Sequence, residues 1–323
     1  MKFSVITGIL GCLGDRFCLS GYKEEISLED KLKKIANIKN LDGVELCFNI
    51  KGDESSATQV KNLLNKYNLF ASGVNAPLVS DKKWKYGSFT SKEKTIRKDA
   101  VEIAKQTIDF AEAVGAPLVN LWLGQDGFDY CFQVDYSQQW DYLIEAVRLC
   151  ADYKPHIKLA LEFKPEEPRN RNILDSASTT LLLIQEIQRD NVGITVDVGH
   201  VLQEKRNMAQ ATELVARYEK LFNLHMNDNY SNYDNDMIVG SIHFIEYLEL
   251  FFILRKIHYD KCLSIDIFPY REDAFRATEE CVEYMKALDR MVNSLGYREV
   301  NDIIHDTKDA TEILKHIRER LFR

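Results

Sequence analysis

No apolar run in this 323-residue chain approaches the ~20 residues a membrane-spanning helix needs, so no membrane partner is expected. The opening MKFSVITGILG is too short and too broken by polar residues for a signal-peptide core, and a cytoplasmic protein is expected. The seven cysteines (Cys12, Cys18, Cys47, Cys131, Cys150, Cys262 and Cys281) are odd in number and lack C-x-x-C spacing. That argues against a disulfide framework and against a zinc knuckle. Basic blocks with interleaved aromatics are missing, and the net charge of −8 disfavours a nucleic-acid surface. The glycines of GILGCLGDRF lack G-x-G-x-x-G spacing, so no dinucleotide or other organic cofactor is expected. No Pro/Gly/Ser-rich linker divides the chain.

What is present is the composition of a globular enzyme-sized chain, 45% hydrophobic and 28% charged. Short β-rich runs alternate with longer helical patterns, the signature of βα units around a parallel sheet. The eight strand candidates are residues 2–9, 42–47, 69–76, 117–124, 157–164, 193–200, 221–228 and 263–269. Between them lie amphipathic segments such as SLEDKLKKIANI, KDAVEIAKQTIDFAEAVG and HFIEYLELFFILRKI. Eight units predict an α/β fold, a closed (β/α)8 TIM barrel over residues 1–296, with a C-terminal helical tail over 297–323.

The carboxyl ends of barrel strands share one mouth. Those ends in the second half carry Glu162 in LALEFKP, Asp197 in TVDVGH, His225 in LHMND and Asp266 in LSIDIF, each a polar residue inside an apolar run. Three carboxylates and an imidazole buried together repel unless protonated or bridged by a metal, and a metal is the better reading. An oxygen-rich set without thiolate favours Mn²⁺, Mg²⁺ or Co²⁺ over a structural zinc; Mn²⁺ is the cofactor expected, with Mg²⁺, Co²⁺ or Zn²⁺ as alternatives. Asp234 and Asp236 form an acid-x-acid pair that, beside His200, would build a second cation site. Lys164, two residues beyond Glu162, would reach the same pocket, and Asp228 lies three residues beyond His225, where a solvated acidic loop is the competing reading.

Taken together and in order, GVEL, LALEFKP, ITVDVGH, LHMNDN, DNDMIVG and SIDIFP resemble the xylose-isomerase-like sugar isomerases and epimerases, over approximately residues 1–296. The resemblance is greatest to the L-rhamnose isomerase and D-xylose isomerase type. It implies one metal held by Glu162, Asp197, His225 and Asp266, a second held by His200, Asp234 and Asp236, and Lys164 as the lysine of an E-x-K match. It implies a small-molecule sugar substrate and a homo-oligomer, dimer or tetramer. The family's ring-opening histidine in the first half has no counterpart, since the first histidine is His156. Glu45, at the end of the second strand, is a substrate-side candidate in its place, and Trp122 is a candidate for stacking on a sugar.

The expected activity is aldose–ketose isomerisation by metal-assisted hydride shift, with Glu162, Lys164, His200 and Asp266 as catalytic groups and Glu45, Trp122 and Asp228 binding substrate. The alternatives are a single-metal ketose 3-epimerase working through an enediolate, with Glu162 and Asp266 exchanging a proton, and a sugar-binding barrel without turnover. Loops 10–30, 48–56, 78–92 and 125–137 are expected to set which sugar is taken.

Overall fold

Strands buried on both faces read as near-continuous apolar runs, because helices cover the outside of a parallel wall and side chains fill the inside. In the computed structural model, which describes residues 1–49, 57–307 and 309–322, those runs become β1 (Lys2–Ile6), β2 (Leu41–Cys47), β3 (Phe70–Asn75) and β4 (Leu118–Trp122). They continue as β6 (Lys158–Glu162), β8 (Val192–Asp197), β9 (Leu221–Met226) and β10 (Cys262–Ile265). The eight close in the order β1-β10-β9-β8-β6-β4-β3-β2, every pair parallel. Two short strands, β5 (Gly127–Phe128) and β7 (Arg171–Asn172), pair antiparallel outside this wall. The (β/α)8 barrel expected from the sequence is the fold that forms.

The helices on the outside are α1 (Leu28–Ile35), α2 (Ala57–Lys66), α3 (Lys94–Val114), α4 (Tyr136–Ala151), α5 (Ala177–Ile187), α7 (Met208–Arg217), α8 (Phe244–Lys256) and α9 (Ala274–Leu295). Ser27, Asp135, Ser176, Asn207 and Asp273 start five of them by accepting orphan backbone N–H groups of the first turn. Gly115, at φ 83°, ends α3 in the left-handed conformation that glycine adopts without strain. The tail forms α10 (Tyr297–Asp306) and α11 (Ala310–Leu321). It is fastened to α8 and α9, where Tyr297 stacks on Phe252 at 5.0 Å and His316 Nε2 donates to the Leu295 carbonyl at 2.7 Å.

Several strands stop earlier than the sequence predicts, and the differences place the functional side chains. The run 193–200 is strand only as far as Asp197. That carboxylate accepts the His200 backbone N–H at 3.0 Å and caps a short helix, α6 (Val198–Gln203). A fully apolar run carries no period to separate strand from helix, and the cap decides it. The runs 157–164, 221–228 and 263–269 end at Glu162, Met226 and Ile265, so Lys164 and Asp266 lie in the loops just past the wall. The run 2–9 turns at Thr7 into one 3-10 turn, Thr7–Leu10.

One loop contact anchors the mouth. Asp126 is fully buried, and its carboxylate accepts the Ser88 and Thr90 backbone N–H groups together with both hydroxyls, at 2.6–3.0 Å. This binds the segment after β3 to the segment after β4.

Candidate active site and metal centre

Register brings the first set of residues together. Asp197 stands opposite His225 across β8 and β9, and Glu162 opposite Thr195 across β6 and β8. Asp266, one residue past β10, completes the group. One ligand atom from each of Glu162, Asp197, His225 and Asp266 lies within 4.8 Å of the others, and among the described residues this is the group of acid and histidine side chains arranged to hold a metal ion. His225 Nδ1 lies 3.5 Å from Glu162 Oε1, 3.9 Å from Asp197 Oδ2 and 3.3 Å from Asp266 Oδ2. It is buried and hydrogen-bonded to none of them. An imidazole nitrogen aimed between three carboxylates without a hydrogen bond is the arrangement a hard divalent cation fits.

The cluster's charges are unequally distributed. Burial opposes ionisation of Glu162, but His225 beside it outweighs burial and brings the carboxyl down to about 2. Burial pushes Asp197 up to about 6, and Asp234, Glu162 and Asp266 add to the rise against the pull of His200. Burial raises Asp266 as well. His225 is held well above the ordinary imidazole range, because Glu45 and Glu162 overcome its desolvation.

The second set meets the first along one side. His200 Nδ1 donates to the Phe163 carbonyl at 2.8 Å and lies 3.5 Å from Glu162 Oε1, while Nε2 is 3.1 Å from Asp234 Oδ2. Lys164 is buried, pairs with Asp234 Oδ2 at 2.7 Å and with Glu167, and lies 5.1 Å over the Trp122 ring. Asp234, between an ammonium and an imidazole, is held far below the usual carboxylate range despite its burial. Asp236 is driven the other way, well above that range, by burial and by Asp234. Its backbone carbonyl accepts the Phe268 N–H at 2.8 Å, which ties the D-x-D loop to the segment after β10. His200, Asp234 and Asp236 thus stand beside the first four residues, but they are not gathered as a ligand set the way those four are. Asp234 is engaged by Lys164 and His200 instead.

Two expected substrate residues sit elsewhere. Glu45 is fully buried behind His225, not at the mouth, and its carboxylate accepts His225 Nε2 at 3.0 Å. Asp228 is also fully buried. It accepts the backbone N–H groups of Asn229, Ile242 and His243 and the His243 Nδ1–H at 2.8–3.0 Å, so it organises the loop after β9 rather than facing a ligand. Trp122 is half-buried with an unpartnered indole N–H, beside Lys164 as a stacking residue would be. Of loop 48–56, residues 50–56 lie outside the described residues.

The structure adds residues that the sequence reading missed. Asn227 donates to both Asp197 oxygens at 3.0–3.1 Å, and Tyr247 holds Asn227 through its carbonyl. Gly199 makes room for that amide, since a Cβ there would lie 1.8 Å from Asn227 Oδ1. Asn120 donates to Glu162 Oε2 at 2.6 Å and accepts the Thr195 hydroxyl at 2.6 Å. Asn223 donates to Glu45 Oε2 at 3.0 Å, and here a signal existed: Asn223 and His225 are two apart in an apolar strand and therefore share a face.

The barrel and the acid-histidine cluster at its mouth agree with what the comparison of sequences shows: the chain belongs to the xylose isomerase-like TIM barrel family, whose model matches residues 32–318. It is similar to a xylose isomerase from Thermus thermophilus, 28% identical over 187 residues, which is 56% of this chain and 48% of that protein. The chain thus spans about half the length of that curated relative. Among solved structures it superposes on an L-ribulose 3-epimerase with a TM-score of 0.73 at 17% identity, covering 91% of this chain and 96% of that one. A D-tagatose 3-epimerase-like protein gives 0.69 at 23% identity, covering 90% and 100%.

Proposed function

We propose that this chain is a divalent-metal-dependent sugar isomerase that interconverts an aldose and a ketose. The observation that carries the reading is the charge of one buried cluster of side chains. Seven buried or half-buried carboxylates, Glu45, Glu162, Glu167, Asp197, Asp234, Asp236 and Asp266, stand among the described residues with Lys164, His200 and His225 as the cationic or cation-forming side chains paired to them. Such an excess of acid in a low dielectric calls for divalent charge, first among Glu162, Asp197, His225 and Asp266, and then beside His200 and the D-x-D pair. When bound, divalent ions of this kind supply Lewis-acid polarisation of the substrate's carbonyl and neighbouring hydroxyl oxygens.

The chain's own groups account for the rest of the reaction. Isomerisation moves hydrogen from C2 to C1 as hydride and a proton from O2 to O1, so the atoms balance without an added reagent. Lys164 donates to the carbonyl oxygen and offsets its developing negative charge, with Asp234 fixing the ammonium from behind. Asp236, which stands near Lys164 and Asp234, is the group we assign to pass the proton between the two oxygens. Trp122 supplies an apolar face for the sugar chain and excludes water on the Lys164 side.

A second reading has its own observation. Among the described residues only the four-residue group is gathered for a metal, while Asp234 is taken by Lys164. A one-metal enzyme would use Glu162 and Asp266 as acid and base through an enediolate, and epimerise a ketose at C3. Turnover of a panel of aldoses and ketoses by the Mn²⁺-loaded protein in D₂O separates the two. Aldose–ketose conversion without deuterium at C1 or C2 supports the hydride shift, and a C3 epimer carrying deuterium at C3 replaces it with the enediolate route. In the isomerase reading Asp236→Asn lowers kcat by about 10²-fold or more with the circular dichroism spectrum unchanged, on the scale of a lost general acid–base group. Unchanged turnover would remove Asp236 from the mechanism.

A further inference from the structure

The acid that faces His225 from behind has no counterpart among the groups that handle substrate. Glu45 comes from β2 and His225 from β9, and β1 and β10 stand between those strands in the wall, so the contact crosses the barrel lumen. Every oxygen of Glu45 is occupied. Oε1 accepts His225 Nε2 and Asn75 Nδ2, both at 3.0 Å, and Oε2 accepts Asn223 Nδ2 at 3.0 Å. With no exposed surface it meets neither solvent nor a sugar.

An ionised carboxylate only accepts hydrogen bonds, so the contact requires hydrogen on His225 Nε2, and in the neutral ring that a bound cation requires, Nδ1 is then the nitrogen with a lone pair to offer the ligand cluster. The neighbouring amides are locked in the same sense. Asn75 donates to Glu45 and accepts through Oδ1 from Asn120 at 2.8 Å, while Asn120 donates onward to Glu162 at 2.6 Å. Turning either amide over would set its oxygen against a carboxylate. Glu45 and Glu162 thereby fix the two asparagines from both ends, and a single buried network orients two members of the four-residue group.

We propose that Glu45 is a positioning residue for the metal centre: through its hydrogen bond to Nε2 it fixes the tautomer and ring orientation of His225 and strengthens Nδ1 as a donor to a divalent cation. This rests on the metal reading above and assigns Glu45 a role that neither binds sugar nor opens its ring. Carboxylate partners behind a ligating imidazole are generally worth ~10–100-fold in metal affinity.

The experiment is calorimetric titration of metal-free wild type, Glu45→Gln and His225→Ala with Mn²⁺. The expected result is tight binding by the wild type, loss of the first site in His225→Ala, and affinity about 10–100-fold weaker in Glu45→Gln with an unchanged circular dichroism spectrum. Wild-type affinity in Glu45→Gln overturns the role of Glu45 while leaving the metal site standing. Wild type that binds no Mn²⁺ overturns both. Should Glu45→Gln fail to fold, ¹⁵N NMR of the Zn²⁺-loaded wild type decides the matter: a proton on Nε2 with metal on Nδ1 sustains the proposal, and the reverse tautomer ends it.

Discussion

A single methyl group is enough to test how tightly the site is built. At Gly199 that methyl would occupy the space of the Asn227 amide, 1.8 Å from its Oδ1 and 3.0 Å from Asp234 Oδ1. Asn227 would have to leave Asp197, which it bonds through both oxygens. Gly199→Ala is therefore expected to weaken Mn²⁺ binding by at least 10-fold, the scale of a lost outer-sphere partner, while the barrel still folds. Equal metal affinity in calorimetry would show that the Asn227 contact is dispensable. At this scale the sequence was informative where a polar residue interrupts an apolar strand, and so Glu162, Asp197, His225 and Asp266 could be read from it. It was silent on direction. Glu45 and Asp228 look like any other acids near strand ends, and only the lumen-crossing bond of one and the four loop donors around the other assign them.

Among the elements, the loops that follow the strands carry more of the site than the strands themselves. Lys164, Asp234, Asp236 and Asp266 all lie beyond the wall, and His200 rides on α6. The apolar runs made the eight strands legible, since burial on both faces leaves a continuous hydrophobic signature. They hid the strand ends, because α6 and the turn after β1 continue the same apolar composition in a different backbone. The pairing of β5 with β7 was beyond reach for a simpler reason: strands of two residues have no periodicity. The loop staple at Asp126 is testable at this level. Asp126→Ala leaves the Ser88 and Thr90 donors without a partner, and a loss of about 2–4 kcal/mol in urea unfolding is expected. A loss under about 0.5 kcal/mol would mean that the two loops hold each other by packing alone.

For the whole molecule, the cluster couples acidity to stability. His200 is raised from its ordinary 6.5 to about 9, so its contribution is complete below about pH 6.5 and is lost as pH rises through 9. Asp197 is raised from 3.8 to about 6, so its share is lost between those two values and the decline above pH 6 belongs to His200. Metal-free protein is expected to lose thermal stability steadily from about pH 6 to pH 9. Mn²⁺ takes the place of the protons, so the rise in Tm on adding it should grow across that interval. Calorimetric scans in chelator and in Mn²⁺ check both; a chelator profile flat over these three pH units would contradict the charge assignment. At this scale the sequence was most legible, because eight βα units in succession leave few architectures open. Which sugar enters was not legible, since that depends on loop conformations that no periodicity encodes.

The lumen-crossing bond between Glu45 and His225 also dates the site within folding. Its partners are 180 residues apart in the chain, and β2 meets the β9 side only when β1 has paired with β10 and the cylinder has shut. Bringing together partners so far apart in the chain carries a large loop-closure cost, and a folding transition state that lacks this contact and the site it orients is the expectation to test. Mn²⁺ is then expected to slow unfolding in stopped-flow experiments and leave the refolding rate unchanged. An accelerated refolding limb would instead mean that the four ligands assemble before the barrel closes.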